Sequence, residues 1–283
     1  MKKHNSIYLM AAFFVATLFS CQQEGKKEDT STSGSETKKE TVVKVKGEEV
    51  TYSTDSTTMK GYIAYDENKE GKRPAVLVVH EWWGHNDYAR ERADKLAELG
   101  YTALAVDMYG DGKVAEHPSD AMKFTQSVMG NLTEATARFD AAIALLKANP
   151  TVDGEKIAAI GYCFGGSVAL TMANAGADLD AVAAFHSGIQ LPVMPGENLK
   201  AKVLVCNGAD DPFIQPEQVT TFKAMLDSVD ADYKYVAYEG VVHSFTSKAA
   251  DSLAKQFELP LAYNQDADEK SWKELQELLA SVF

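Results

Sequence analysis

The chain is short of cysteine, of basic residues and of metal-binding patterns. Its three cysteines stand in unlike settings: Cys21 closes an N-terminal apolar stretch, Cys206 ends the apolar run Val203-Leu204-Val205-Cys206, and Cys163 sits in a glycine-rich turn. Lys and Arg total 28 against 41 Asp and Glu, a formal net charge of -13. That sign excludes nucleic acid and anionic membrane surfaces as partners, because neither gains from counterion release or basic-patch attraction. No HxxxH and no clustered Cys/His set is present, so neither a metal nor a cofactor is expected. No internal repeat is visible. With 45% hydrophobic residues in 283, the chain is long enough for one large α/β core and too short for two ordinary domains.

The N-terminus opens on a basic segment, Met1-Lys2-Lys3-His4. An apolar stretch from Ile7 to Phe19 follows, too short for a comfortable membrane span, and Leu18-Phe19-Ser20-Cys21 ends it with a small residue before a cysteine. This resembles a bacterial lipoprotein signal peptide. The resemblance implies a signal peptide over 1–20, lipidation of Cys21, and an exported protein held at the bacterial cell envelope by that lipid alone; soluble secretion to the periplasm is the alternative. Residues 21–46 are rich in Lys, Glu, Ser and Thr and almost devoid of large apolar side chains, so they read as a solvated tether. With Cys21 given to lipid, no pair remains for a structural disulfide. The folded domain, expected over 47–283, then depends on its core alone, which a domain of this size can supply.

Along that domain, Glu49–Thr54 and Met59–Asp66 alternate like an edge hairpin around Asp55-Ser56. Pro74–His80 reads as a continuous apolar strand of the kind buried on both faces. Helical patterns are expected over Asp87–Leu99, Ser119–Met129, Thr133–Ala148, Gly165–Asn174, Pro216–Ser228 and Asp268–Leu279. Further strands are expected over Tyr101–Val106, Lys156–Gly161, Ala181–Phe185, Ala201–Cys206 and Tyr233–Tyr238. Strands alternating with helices in this way predict an α/β fold with a mostly parallel central sheet covered on both faces. Reactive groups in such sheets gather beyond the C-terminal strand ends. His80-Glu81, Asp107, Cys163, His186, Asp210 and His243 all fall there.

Gly161-Tyr162-Cys163-Phe164-Gly165-Gly166 lies between a strand and a helix. Such a turn holds its central residue in a strained conformation and needs neighbours without bulk, which suits a nucleophile at Cys163. A thiol nucleophile requires a base and a group to fix that base. In the order nucleophile, acid, histidine, the acids are Asp210 and Asp211, and the only later histidine is His243. Asp210 is preferred, because Asp211 precedes a proline that biases its backbone towards extended geometry at the turn's exit. Asp211 is left to cap the following helix. The N–H of Phe164, at the start of a helix, suits an oxyanion hole. Phe164, Trp82, Trp83 and Tyr109 are candidate pocket walls. His186 is placed either against substrate or as a cap on its strand.

The segments His80-Glu81-Trp82-Trp83-Gly84, Asp107-Met108-Tyr109-Gly110, Gly161–Gly166, Gly208-Ala209-Asp210 and His243-Ser244-Phe245 together resemble the dienelactone hydrolase family of α/β-hydrolases, from about Val50 to the C-terminus. The resemblance implies an α/β-hydrolase fold and cleavage of a small-molecule ester or lactone through a covalent thioester. Cys163 would be the nucleophile, His243 the base and Asp210 its orienter. Glu81 would be a partner restraining the resting thiol, and Trp82 would supply the second oxyanion donor. A monomer is expected. Where that family holds a substrate carboxylate with arginines, this chain has Asp111 and Thr246-Ser247, with no guanidinium at either place and Lys248 as the substitute on offer. Small neutral or weakly polar substrates are therefore expected. The rival readings are a surface-tethered reactive thiol with a redox role and a non-catalytic binding protein on the same fold.

Overall fold

The computed structural model describes residues 42–283. The expected signal peptide, Cys21 and the tether up to residue 41 lie outside the described residues. The folded domain begins slightly earlier than residue 47. The first strand, β1, is Val45–Ser53. The preceding Lys44 N–H donates to Asp66 Oδ1 at 2.9 Å, tying residues assigned to the tether into the sheet.

Seven more strands follow: β2 (Thr58–Asp66), β3 (Arg73–Val79), β4 (Thr102–Val106), β5 (Val152–Tyr162), β6 (Ala181–Phe185), β7 (Lys202–Gly208) and β8 (Tyr233–Tyr238). They form one sheet in the order β1-β2-β4-β3-β5-β6-β7-β8. β1 and β2 are an antiparallel hairpin at one edge, and β2 meets β4 antiparallel. From β4 to β8 every pairing is parallel. The helices are α1 (Asp87–Glu98), α2 (Pro118–Met129), α3 (Leu132–Ala148), α4 (Phe164–Asn174), α5 (Pro216–Ser228), α6 (Ala250–Phe257) and α7 (Gln265–Val282).

The period of two in β3 shows how the apolar run divides. Ala75, Leu77 and Val79 enter one core with Phe139 and Leu146 of α3 and Val168 and Met172 of α4. Val76 and Val78 enter the other with Ala93 and Leu96 of α1 and Leu275 and Leu279 of α7. A strand with no polar face can be stable only between two such layers. Caps extend two helices beyond their apolar stripes: Asn131 Oδ1 accepts from Glu134 N–H at 3.2 Å, and Asn264 Oδ1 from Ala267 N–H at 3.0 Å. α6 has no counterpart among the helices read from sequence. It is eight residues long, too short for a helical repeat to stand out, and it packs on the loop beyond β3 rather than on the sheet.

Candidate active site

The turn from β5 to α4 carries Cys163 at φ 53°, ψ -118°, a conformation that costs a residue with a Cβ about 1–3 kcal/mol. The surroundings enforce it. Cys163 N–H donates to Phe185 O at 2.9 Å, and its carbonyl accepts from Gly166 N–H at 3.1 Å and from Ser187 Oγ at 2.9 Å. The glycines are there for space: a Cβ on Gly165 would overlap the carbonyl oxygens of Val79 and His80, and one on Gly161 would overlap the Gly165 carbonyl. The start of α4 is thus pressed onto the end of β3, backbone against backbone. Phe164 N–H opens the helix with no acceptor within it.

His243 follows β8. Its Nδ1 hydrogen-bonds Asp211 Oδ2 at 2.7 Å, and both side chains are buried. The acid beside the imidazole is therefore Asp211, and not Asp210, which is exposed. The pre-proline position works opposite to expectation: the extended exit turns the Asp211 side chain inward, where its Oδ1 accepts from Phe213 N–H at 2.9 Å. Gly208 allows the approach, since a Cβ there would overlap the Val241 carbonyl. With Nδ1 occupied, Nε2 is the free ring nitrogen, and the nearby Cys163 sulfur favours the charged ring. Burial disfavours the charged ring, but the Cys163 sulfur and the Asp211 carboxylate outweigh it and raise His243 to about 10. Phe213, 52% exposed, lies edge-on to the ring with centroids 5.0 Å apart.

Glu81 is buried. Its carboxylate accepts a hydrogen bond from Ser244 Oγ at 3.4 Å, next to His243. Burial pushes Glu81 up to about 7, opposed by His243, by the Ser244 hydrogen bond and by Arg92. Preceding it, His80 links two loops: Nδ1–H donates to Glu81 O at 2.6 Å, and Nε2 accepts from Met108 N–H at 3.2 Å. A carbonyl can only accept, so the tautomer is fixed and the ring is neutral; burial lowers its pKa further. Asp107 accepts from four backbone N–H groups at 2.7–3.0 Å, those of Tyr109, Gly110 and Gly112 in its own loop and that of Lys60 on β2.

Two expected pocket residues have other roles. Tyr109 is buried, and its hydroxyl donates to Trp82 O at 2.8 Å, bracing the loop that carries Trp82. His186 is fully buried and touches no open surface. It packs behind His243 with ring centroids 5.2 Å apart, and its Nε2 is hydrogen-bonded to Thr246 Oγ1 at 2.7 Å. Both burial and the neighbouring His243 hold it well below the usual histidine range. Trp83 does wall a cavity, stacked on Phe257 at 5.8 Å.

Thr246 joins a buried polar network that sequence reasoning missed. Its hydroxyl also meets Tyr88 OH at 2.5 Å, its carbonyl accepts from Arg92 Nη2 at 2.6 Å, and Arg92 pairs with Asp268 at 2.8 Å. These residues come from α1, the loop after β8 and α7, and only their placement on the fold reveals them as neighbours. The one legible signal was an arginine on the apolar face of α1. At the places where resembling hydrolases carry arginine, Asp111 is exposed and pairs with Lys113 at 3.1 Å, and Thr246 and Ser247 are buried. Among the described residues, no three His, Cys, Asp or Glu side chains converge as a metal ligand set.

A mostly parallel eight-stranded sheet, a cysteine on the elbow after its central strand and a buried His–Asp pair beyond the later strands define an α/β-hydrolase. The chain belongs to the dienelactone hydrolase family, whose pattern it matches over residues 59–283. It is 28% identical over 212 residues to a candidate carboxymethylenebutenolidase of Aquifex aeolicus, covering 73% of this chain and 90% of that one. Among solved structures it is similar to one named m3DLH, with TM-score 0.80, 38% identity, and 84% of this chain and 99% of that one covered. It is also similar to a dienelactone hydrolase-like promiscuous phosphotriesterase, P91, from metagenomic libraries, with TM-score 0.78, 37% identity and the same coverage. The protein is accordingly a carboxylic ester hydrolase acting on a small-molecule ester or lactone.

Proposed function

We propose that this hydrolase works through a Cys163–His243–Asp211 triad and a thioester intermediate. The observation that carries the reading is the buried His243–Asp211 pair, 2.7 Å apart at Nδ1, with the elbow cysteine near enough for its sulfur to raise the imidazole's pKa. Asp211 fixes the tautomer and orientation of His243 and stabilises its protonated form. The Cys163 sulfur, its proton passed to His243, is the nucleophile.

In the first half-reaction the Cys163 sulfur forms a bond to the ester carbonyl carbon, and the electron pair moves to the carbonyl oxygen. The N–H groups of Phe164 and Trp82 receive that oxyanion; each such donor is worth on the order of a hundredfold in rate. As the tetrahedral species collapses, the C–O bond to the alcohol breaks and His243 gives its proton to the departing oxygen. In the second half, neutral His243 takes a proton from water, the hydroxide oxygen adds to the thioester carbon, and the C–S bond breaks to release the acid. The thiolate and imidazolium are thereby restored.

The test is acylation by p-nitrophenyl acetate. A burst of nitrophenolate, with one acetyl group added to the Cys163 peptide by mass spectrometry, is expected. Loss of both in Cys163→Ala is the matching result. Full turnover by Cys163→Ala, or acetylation at another residue in the wild type, would overturn the reading.

A further inference from the structure

The missing arginines lead to a question of what replaces an anionic substrate. A cavity of about 310 Å³ lies between the Trp83 loop, the Val114-Ala115 segment and α6. Trp83, Ala115, Val114, Leu253 and Phe257 give it apolar walls. Val114 is 46% exposed, and Leu253 and Phe257 are only half-buried, so apolar surface is left facing the space. No Lys, Arg or His lines it; its charged groups are the carboxylates of Glu81 and Glu116. Of these, Glu81 accepts a hydrogen bond from Ser244, the chain neighbour of His243, and so brings one wall of the cavity beside the His243 loop. An adjoining space of about 440 Å³ shares Asn86, Tyr88, Ser247 and Ala249 with it. That space holds three cations, Arg92, Lys95 and Lys248, against Asp87, Glu91 and Asp268, and Arg92 is committed to Asp268 and Thr246.

The geometry points to this α6-walled cavity as the subsite for an uncharged, apolar arm of the substrate, so that the protein selects neutral esters or lactones with a short alkyl or aryl arm and rejects a carboxylate there. The inference rests on the triad reading for its chemistry but makes a separate claim about selectivity. The physical basis is direct. A carboxylate-bearing arm would meet the Glu116 carboxylate and no counter-ion, and would lose its hydration. An alkyl arm gains about fourfold in binding per buried methylene. Leu253 and Phe257 reach the cavity from α6, a helix that packs on the loop beyond β3 and not on the sheet core.

The experiment measures kcat/KM for two series of esters. One lengthens the acyl group from acetyl to pentanoyl on a constant nitrophenol, the other lengthens the alcohol of an acetate; each includes a member ending in a carboxylate. Cleavage of the acetyl ester that disappears in Cys163→Ala reports on the triad alone. The subsite is supported if the wild type gains roughly fourfold per methylene in one series and cleaves the carboxylate ester at least tenfold more slowly than its neutral isostere. Leu253→Trp, which fills the cavity, should flatten the gain per methylene. Phe257→Ala, which widens it, should move the optimum to longer arms and covers the case in which Leu253→Trp fails to fold. A flat profile in both wild-type series, an unchanged slope in both variants, or preference for the carboxylate ester would overturn the inference with the triad left standing.

Discussion

Replacing Glu81 by glutamine should make the protein relatively more stable as pH rises. Glu81 goes from an ordinary 4.5 in the unfolded chain to about 7 in the fold, chiefly through burial. Between those values the native state keeps a proton that the unfolded state has released, so stability falls as pH rises through that window and levels off above it. Below 4.5 both states are protonated and the residue contributes no pH dependence. At about 1.4 kcal/mol per pKa unit, the full difference is about 3 kcal/mol. Glutamine does not titrate, so the stability of Glu81→Gln minus that of the wild type should grow by about that amount from pH 4 to pH 8. For a domain of this size it corresponds to roughly 6–12 °C in Tm. His243, raised to about 10, also titrates: its stabilisation is complete below 6.5 and is lost as pH rises through 10. Both proteins carry His243, so only its coupling to the Glu81 carboxylate differs between them. Urea unfolding at half-unit pH steps is the assay. A difference that is flat across pH 4 to 8, or that shrinks as pH rises, would refute the reasoning and show the ionised carboxylate to be fully compensated by His243 and Arg92.

Asp211→Asn should lower kcat/KM on an aryl ester by on the order of a thousandfold or more, as expected when the acceptor fixing a catalytic tautomer is removed. Asp210→Asn, at an exposed site, should change it less than twofold, and equal losses would sink the assignment. Thr246→Val should destabilise the fold by about 2–4 kcal/mol in urea, because it strips His186 Nε2 and Tyr88 OH of a shared buried partner. It should also shift the pH profile of Cys163 alkylation by iodoacetamide, with Thr246→Ser restoring both. A stable Thr246→Val protein with an unchanged profile would show that the network does not position the His243 loop.

The elbow at Cys163 was legible because its glycines are steric requirements of the backbone, and His243 because no other histidine follows the acids. Asp211 was not, since a rule about proline restricts a residue's φ and ψ without saying which way its side chain leaves a turn. His186 sits at a strand end, as expected, yet it is sealed behind His243. Position along a strand fixes depth in the sheet but not whether a loop closes over the residue. Most strands emerged from continuous apolar runs, and their partners followed from the parallel topology. α6 escaped because its apolar residues serve a loop rather than a layer, and the Arg92–Asp268–Thr246 network escaped because its members are far apart in sequence.

The contact of Gly165 with the carbonyls of Val79 and His80 has an evolutionary consequence. The spacing between the nucleophile and the Trp82 loop is set by main chain touching main chain, so it is insensitive to nearly every point mutation except those at the glycines themselves. Side chains on α6 and beside Val114 stand outside that contact. Substrate preference can therefore drift through wall residues while the reacting geometry is inherited intact, and libraries confined to positions 114, 253 and 257 should be rich in active enzymes of altered taste.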